Sequence, residues 1–182
     1  MNVLQKKTLY TIGHSTRTFD EFLGLLQSFS INMLVDVRSY PGSKRYPHFN
    51  KENLAKVLPL NNIHYIHLAS LGGRRKSLAH SKNSVWKNDS FKGYADYMET
   101  GEFKKGIKEL EDIADKYNTA FMCSEAVWWR CHRSMISDYL KADGWQVLHI
   151  INSKKAEEHP YTAPAKIIDG RLSYTAEQQD LF

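Results

Sequence analysis

Thr119-Ala120-Phe121-Met122-Cys123-Ser124-Glu125-Ala126-Val127-Trp128-Trp129-Arg130-Cys131-His132-Arg133-Ser134 is the stretch on which the fold turns. It begins with an uncharged, mainly apolar run of strand length, the pattern of a strand covered on both faces. From Ser134 to Ala142 the residues read as a helix. The loop between them carries both cysteines of the chain, Cys123 and Cys131, with Glu125, Arg130, His132 and Arg133 beside them. A thiol, a carboxylate, an imidazole and two guanidiniums thus gather where a strand gives way to a helix. In open α/β sheets that edge is where sites form.

Outward from this stretch, strand and helix alternate. Residues 8–12, 33–37, 63–68 and 146–151 are further short apolar strands, the first ending at Gly13. Thr18 and Glu21 have capping-box spacing, and Phe19, Phe22, Leu23 and Leu26 follow at helical intervals. Asn50 caps a short helix running to Leu58. Helical patterning over 94–117 breaks near Gly101, and Gly144 closes the helix after the Cys loop. Residues 74–89 are polar and basic and read as a mobile excursion. About five strands separated by helices give an α/β fold, a mostly parallel sheet flanked by helices on both faces. Residues 1–151 are expected to form this single domain, and 152–182 a loop-like C-terminal extension.

Composition narrows the class. With 42% hydrophobic and 25% charged residues the chain is ordinary globular protein. No apolar run approaches a membrane span, and the first residues lack the layout of a signal peptide. Two cysteines make no disulfide framework, so a cytoplasmic protein with reduced thiols is expected. The net charge of +5 permits an acidic partner such as DNA without requiring one.

In a parallel sheet, Gly13-His14-Ser15, Asp36-Val37-Arg38 and the Cys loop all fall at one edge. His14, Asp36, Arg38, Cys123 and Glu125 are therefore the candidate catalytic residues. His14 has the imidazole suited to proton transfer. Asp36 and Arg38 share a face of an extended segment, as a catalytic pair or as a salt bridge. Cys123 is the candidate nucleophile, its thiolate favoured by nearby cations and a helix N-terminus. Cys123, Glu125, Cys131 and His132 are also a candidate ligand set for iron or zinc. Arg38, Arg130 and Arg133 are candidate anion contacts, and Lys44, Arg45, Arg74, Arg75 and Lys76 candidate rim charges for phosphate. Trp128 and Trp129 are placed to stack a base or to wedge the loop into the core. A phosphatase-type loop fails by register: the position that needs arginine holds Trp129. Neither a phosphate-cradling Gly-rich loop nor a nucleophile elbow is present.

Thr11-Ile12-Gly13-His14-Ser15, Val35-Asp36-Val37-Arg38 with Pro41 and Ser43, Pro47-His48-Phe49-Asn50, Leu71-Gly72-Gly73-Arg74 and Cys123-x-Glu125 through Cys131-His132-Arg133 together resemble the domain-of-unknown-function 488 family. The resemblance runs from about residue 8 to 151, with the motifs in order, and implies an α/β fold with these polar residues as its motif positions. It implies no substrate. A looser resemblance is to rhodaneses, whose Asp-x-Arg strand and Cys loop build a persulfide site. The loop here is longer and carries Glu125, Cys131 and His132, so the likeness is one of layout. The final Gln178-Gln179-Asp180-Leu181-Phe182 is similar to the peptide by which bacterial replication and repair proteins grip the sliding clamp. Leu181 and Phe182 would enter an apolar pocket and Gln178 would fix register.

The expected function is a bacterial, DNA-associated enzyme of repair or base processing, with partners DNA and the sliding clamp and no membrane. One alternative is a metal-binding or sulfur-handling protein using Cys123, Cys131 and His132. Another is a non-enzymatic adaptor tethered to clamp or DNA.

Overall fold

The computed structural model describes residues 7–176. β1 (Thr8–Gly13) leads into α1 (Phe19–Ser28), then β2 (Met33–Asp36). α2 (Lys51–Val57), β3 (His64–His67), α3 (Asp89–Met98) and α4 (Gly101–Ala114) follow. Next come β4 (Thr119–Cys123), α5 (Arg133–Ala142) and β5 (Gln146–Asn152), then the short strands β6 (Lys155–Glu158), β7 (Lys166–Ile168) and β8 (Arg171–Ser173). The predicted capping box opens α1: Thr18 accepts from the Glu21 amide and the Glu21 carboxylate accepts from the Thr18 amide. Gly144, at φ 91°, supplies the left-handed turn after α5.

The main sheet has six strands in the order β3-β2-β4-β1-β5-β6. The first five are parallel and β6 is antiparallel to β5. It is the expected α/β architecture. One face packs Val35, Phe121 and Val147 against Tyr94, Phe103, Ile107, Met135 and Leu140 from α3, α4 and α5. The other packs Ile12, Leu34 and Met122 against Phe22 and Leu26 of α1 and Leu54 of α2. Strand side chains alternate between these cores, the period-2 rule for a sheet covered on both sides.

Register decides where the site sits. Gly13 pairs with Cys123, and Asp36 with both Met122 and His67. Four strands therefore end at one edge. From that edge the chain leaves β1 toward α1 on one face and leaves β4 toward α5 on the other. Adjacent strands whose connections depart to opposite sides open a crevice between their carboxyl ends.

Two expectations are corrected. Residues 152–176 are not merely loop-like: β6 extends the sheet, β7 and β8 pair as a hairpin, and His159 and Tyr174 are buried. Residues 74–88 contain no helix or strand, yet they are tied down by Asp96. Its carboxylate accepts from the Leu78 amide, the Ser81 hydroxyl and the Asn83 side chain. No helix among the described residues is long and apolar enough to cross a membrane. Gln178, Leu181 and Phe182 lie outside the described residues.

Candidate functional site

The crevice is a pocket of about 770 Å³ lined by His14, Arg38, Arg74, Cys123, Glu125, Arg130, Cys131 and His132, with Tyr40, Tyr46 and Phe91 among its apolar walls. Close packing forms its floor. A Cβ on Gly13 would lie 1.8 Å from the Glu125 carbonyl oxygen, so the Cys loop crosses β1 only because residue 13 is glycine. The His14 amide donates to the Cys123 carbonyl at 3.1 Å, and the Ser15 amide to the Ser124 carbonyl at 2.9 Å, which fastens the two loops side by side.

At the floor three side chains converge. His132 Nδ1 stands 3.8 Å from Cys123 Sγ and 3.6 Å from Cys131 Sγ. All three potential ligand atoms lie within 4.8 Å of one another. His132 Nε2 is 3.0 Å from the Val37 carbonyl oxygen, which can only accept, so Nε2 carries a hydrogen. In the neutral ring Nδ1 then presents its lone pair to both sulfurs. The ring is held against the edge of Tyr94, and Gly73 is bare beneath it; a Cβ there would lie 2.4 Å from Nδ1.

The two thiols differ. A hydrogen bond from Cys131 holds the Cys123 thiol well below the ordinary value, with Arg133 adding to the effect against burial. Burial pushes Cys131 well up, and its neighbour Cys123 pushes it further. Of the two sulfurs, Cys123 is therefore the readier to ionise and Cys131 the one that keeps its proton longer.

Beside them lies a second polar group. Asp36, fully buried, accepts from Arg38 Nε at 2.9 Å, from Arg38 Nη2 at 2.6 Å and from the Tyr65 hydroxyl at 2.7 Å. This is a bidentate buried ion pair. Arg38 Nη1 also reaches His14 Nε2 at 3.3 Å, while His14 Nδ1 donates to the Ser15 carbonyl at 2.9 Å. Both His14 nitrogens are thus engaged. Burial and then Arg38 lower its pKa to about 4, against a partial offset from the Ser15 bond, so the ring is neutral near pH 7.

The sequence candidates therefore divide. His14, Arg38, Arg74, Cys123, Glu125, Arg130, Cys131 and His132 meet in the pocket. Asp36 sits beneath the pocket, locked to Arg38. Glu125 is exposed on the pocket wall and does not join the cluster of Cys123, Cys131 and His132. Arg133 is only 2% exposed; its guanidinium turns inward to Thr11 Oγ1 and the Glu125 carbonyl. Trp128 stacks on the His149 ring at 4.5 Å and 5°, which is wedging rather than a free platform, and Trp129 is 56% exposed outside the pocket lining. Of the candidate rim charges, Arg74 lines the pocket, whereas Arg75 lies over the Tyr97 ring at 3.5 Å. Sequence reading passed over Thr11, Asp138, His149 and His159, buried polar residues behind the site. A histidine in an apolar strand was the available signal.

A family model described as Domain of unknown function DUF488 matches residues 18–140. No curated protein and no solved structure matches the chain.

Proposed function

We propose, for a chain that belongs to the DUF488 family, an enzyme that binds an anionic substrate in the strand-edge pocket and holds one transition-metal ion, zinc or iron, at its floor. Cys123, Cys131 and His132 are the protein ligands. The observation that carries this is their spacing. Bonds of about 2.3 Å to sulfur and 2.0–2.1 Å to nitrogen around a tetrahedral ion put sulfur and nitrogen about 3.6 Å apart. The two Sγ–Nδ1 separations are 3.6 and 3.8 Å. The His132–Val37 bond is the kind of outer contact that fixes a metal-binding imidazole. Three protein ligands leave a fourth position, where a bound ion supplies Lewis acidity and an activated water.

The remaining residues have separate tasks. Arg74 and Arg130, both exposed on the pocket, draw in and orient the anion. Arg38, fixed by Asp36, is a preset donor on the wall. Glu125 is the pocket carboxylate free to move a proton, since His14 has both nitrogens occupied. A place in DNA repair or base processing is supported by the charge of +5, the arginine-lined pocket and the terminal clamp-like peptide.

A second reading is favoured by one observation: Arg133 is a buried cation bonded to a hydroxyl and a carbonyl, and its charge favours the ionised form of Cys123. Without metal, Cys123 would then act as the nucleophile. Metal analysis of protein purified without chelator separates the two. The metal reading expects close to one equivalent of zinc or iron, lost in Cys123→Ser, Cys131→Ser and His132→Ala. Protein that neither carries metal nor takes up zinc at micromolar concentration would refute it.

A further inference from the structure

Tyr40 is an aromatic side chain that the fold holds out of the core. It is 73% exposed, yet it lines the strand-edge pocket. Its backbone is fixed on both sides. Pro41 follows it, and a residue before proline is confined to extended conformations. The Ser39 hydroxyl accepts from the Arg74 amide at 3.0 Å, and the Pro41 carbonyl accepts from the Lys51 amide at 2.8 Å. Gly72 lets the two loops close on each other: a Cβ there would lie 2.6 Å from Ser39 Oγ and 2.9 Å from Ser39 Cα. An exposed ring on a pinned loop adds little to the core, but it loses little freedom when something packs against it.

The charges around the ring select what that is. The Arg74 guanidinium lies 5.4 Å from the Tyr40 ring centroid, within cation–π range. Arg130 lines the same pocket, and Lys44 and Arg45 are exposed on the loop after Tyr40. Residues 38–50 carry no acidic side chain to offset them. The other aromatic rings near the site are engaged within the protein. Trp128 stacks on His149, Phe91 stacks on Trp86 at 4.9 Å, and the half-buried Tyr46 stands edge-on to His14 at 6.3 Å. A small anion would use the arginines and leave the Tyr40 ring idle. An uncharged aromatic would do the reverse. A nucleotide uses both, its base on the ring and its phosphate on the guanidinium. A base inside a duplex is already stacked by its neighbours, so the ring can receive only a base outside that stack.

We propose that the pocket takes an unpaired nucleotide, its base stacked on the solvent-facing side of Tyr40 and its phosphate held by Arg74. The proposal rests on the pocket binding an anionic substrate and names the class of that substrate. A single-stranded nucleic acid and a free nucleotide share this chemistry. A ring face reads no base edge, so discrimination among bases is weak.

The test is a binding titration of the full-length protein with three probes: a labelled single strand of about eight thymidylates, an abasic phosphodiester of the same length, and inorganic phosphate. Wild type is compared with Tyr40→Ala and Tyr40→Phe. Affinity for the thymidylate strand should fall about five-fold or more in Tyr40→Ala and stay near wild type in Tyr40→Phe. The abasic strand should bind wild type more weakly than the thymidylate strand does, and should not distinguish wild type from Tyr40→Ala. Equal affinity of wild type for the two strands would overturn the proposal, and this comparison stands even if Tyr40→Ala does not fold. Unchanged thymidylate affinity in a folded Tyr40→Ala would also overturn it. Either result with phosphate still bound leaves the anion reading in place, whereas binding of none of the three probes would refute that reading too. Thymidine monophosphate separates the two sources. Affinity equal to that of the strand, with the same dependence on Tyr40, assigns a free nucleotide; weaker affinity with that dependence assigns a strand.

Discussion

Gly73→Ala tests the role of His132 without touching a ligand. The backbone at residue 73 does not adopt a positive φ, so alanine carries no conformational penalty there and the effect is steric. The new Cβ would lie 2.4 Å from His132 Nδ1 and 2.6 Å from Cγ, whereas ordinary contact begins at 3.4 Å. The ring must therefore retreat by about 1 Å, several times the roughly 0.2 Å tolerance of a metal–ligand distance. Retreat also strains the 3.0 Å bond from Nε2 to the Val37 carbonyl, a bond contributing about 1 kcal/mol. Damage of this kind around a ligand lowers metal affinity about 10–100-fold, or roughly 1.4–2.8 kcal/mol. Zinc affinity is measured by competition with a chromophoric chelator, and the metal-free melting curve is measured in parallel. Weaker zinc binding by an order of magnitude or more, with the metal-free fold retained, is expected. Wild-type affinity in Gly73→Ala would show that Nδ1 is not a ligand.

His14 makes stability depend on acid. Its folded pKa of about 4 lies below the ordinary 6.5, so the unfolded chain binds a proton the fold refuses; stability is full above pH 6.5 and falls as pH drops toward 4, by at most about 3 kcal/mol. Denaturant titrations should show a shallower decline between pH 7 and 4.5 in His14→Gln, and an unchanged slope would mean that His14 is protonated in the fold. Arg74→Ala and Arg130→Ala should each weaken binding of inorganic phosphate or a short oligonucleotide about three- to ten-fold with little change in melting temperature, because both side chains are exposed; binding that survives loss of both arginines would move the anion site elsewhere. Replacing Leu181 and Phe182 by Ala should abolish capture of the bacterial sliding clamp by a tail peptide, a loss of about 2 kcal/mol or more, while Gln179→Ala should matter little. No wild-type binding at about tens of micromolar would withdraw that support for a DNA-associated role.

The fold was legible because its signals are local. Thr18 with Glu21, the apolar runs ending at Gly13 and Cys123, and Gly144 after α5 each act within a few residues. The shared strand edge followed from parallel order alone. β6 escaped notice because Lys-Ala-Glu-Glu at a sheet edge is mostly exposed and has no apolar alternation. Arg133 was misplaced because a guanidinium beside a thiol looks the same in sequence whether it faces substrate or the interior. The buried group of Thr11, Asp138, His149 and His159 was hidden for a different reason. Thr11 and His149 meet across β1 and β5 from 138 residues apart, and no spacing rule spans that distance. Glu125 fits the ligand pattern by residue type, and only the inward turn of its carbonyl toward Arg133, with its side chain at the pocket, separates it from Cys131 and His132.

X-ray absorption at the metal edge of zinc-loaded protein tests the central claim most directly. The expected spectrum has two sulfur scatterers at about 2.3 Å and one imidazole nitrogen at about 2.0–2.1 Å, with a light-atom ligand in the fourth position. In Cys123→Ser one sulfur should disappear. A first shell of nitrogen and oxygen alone, or a sulfur count unchanged by Cys123→Ser, would contradict the assignment of Cys123, Cys131 and His132 as a metal centre.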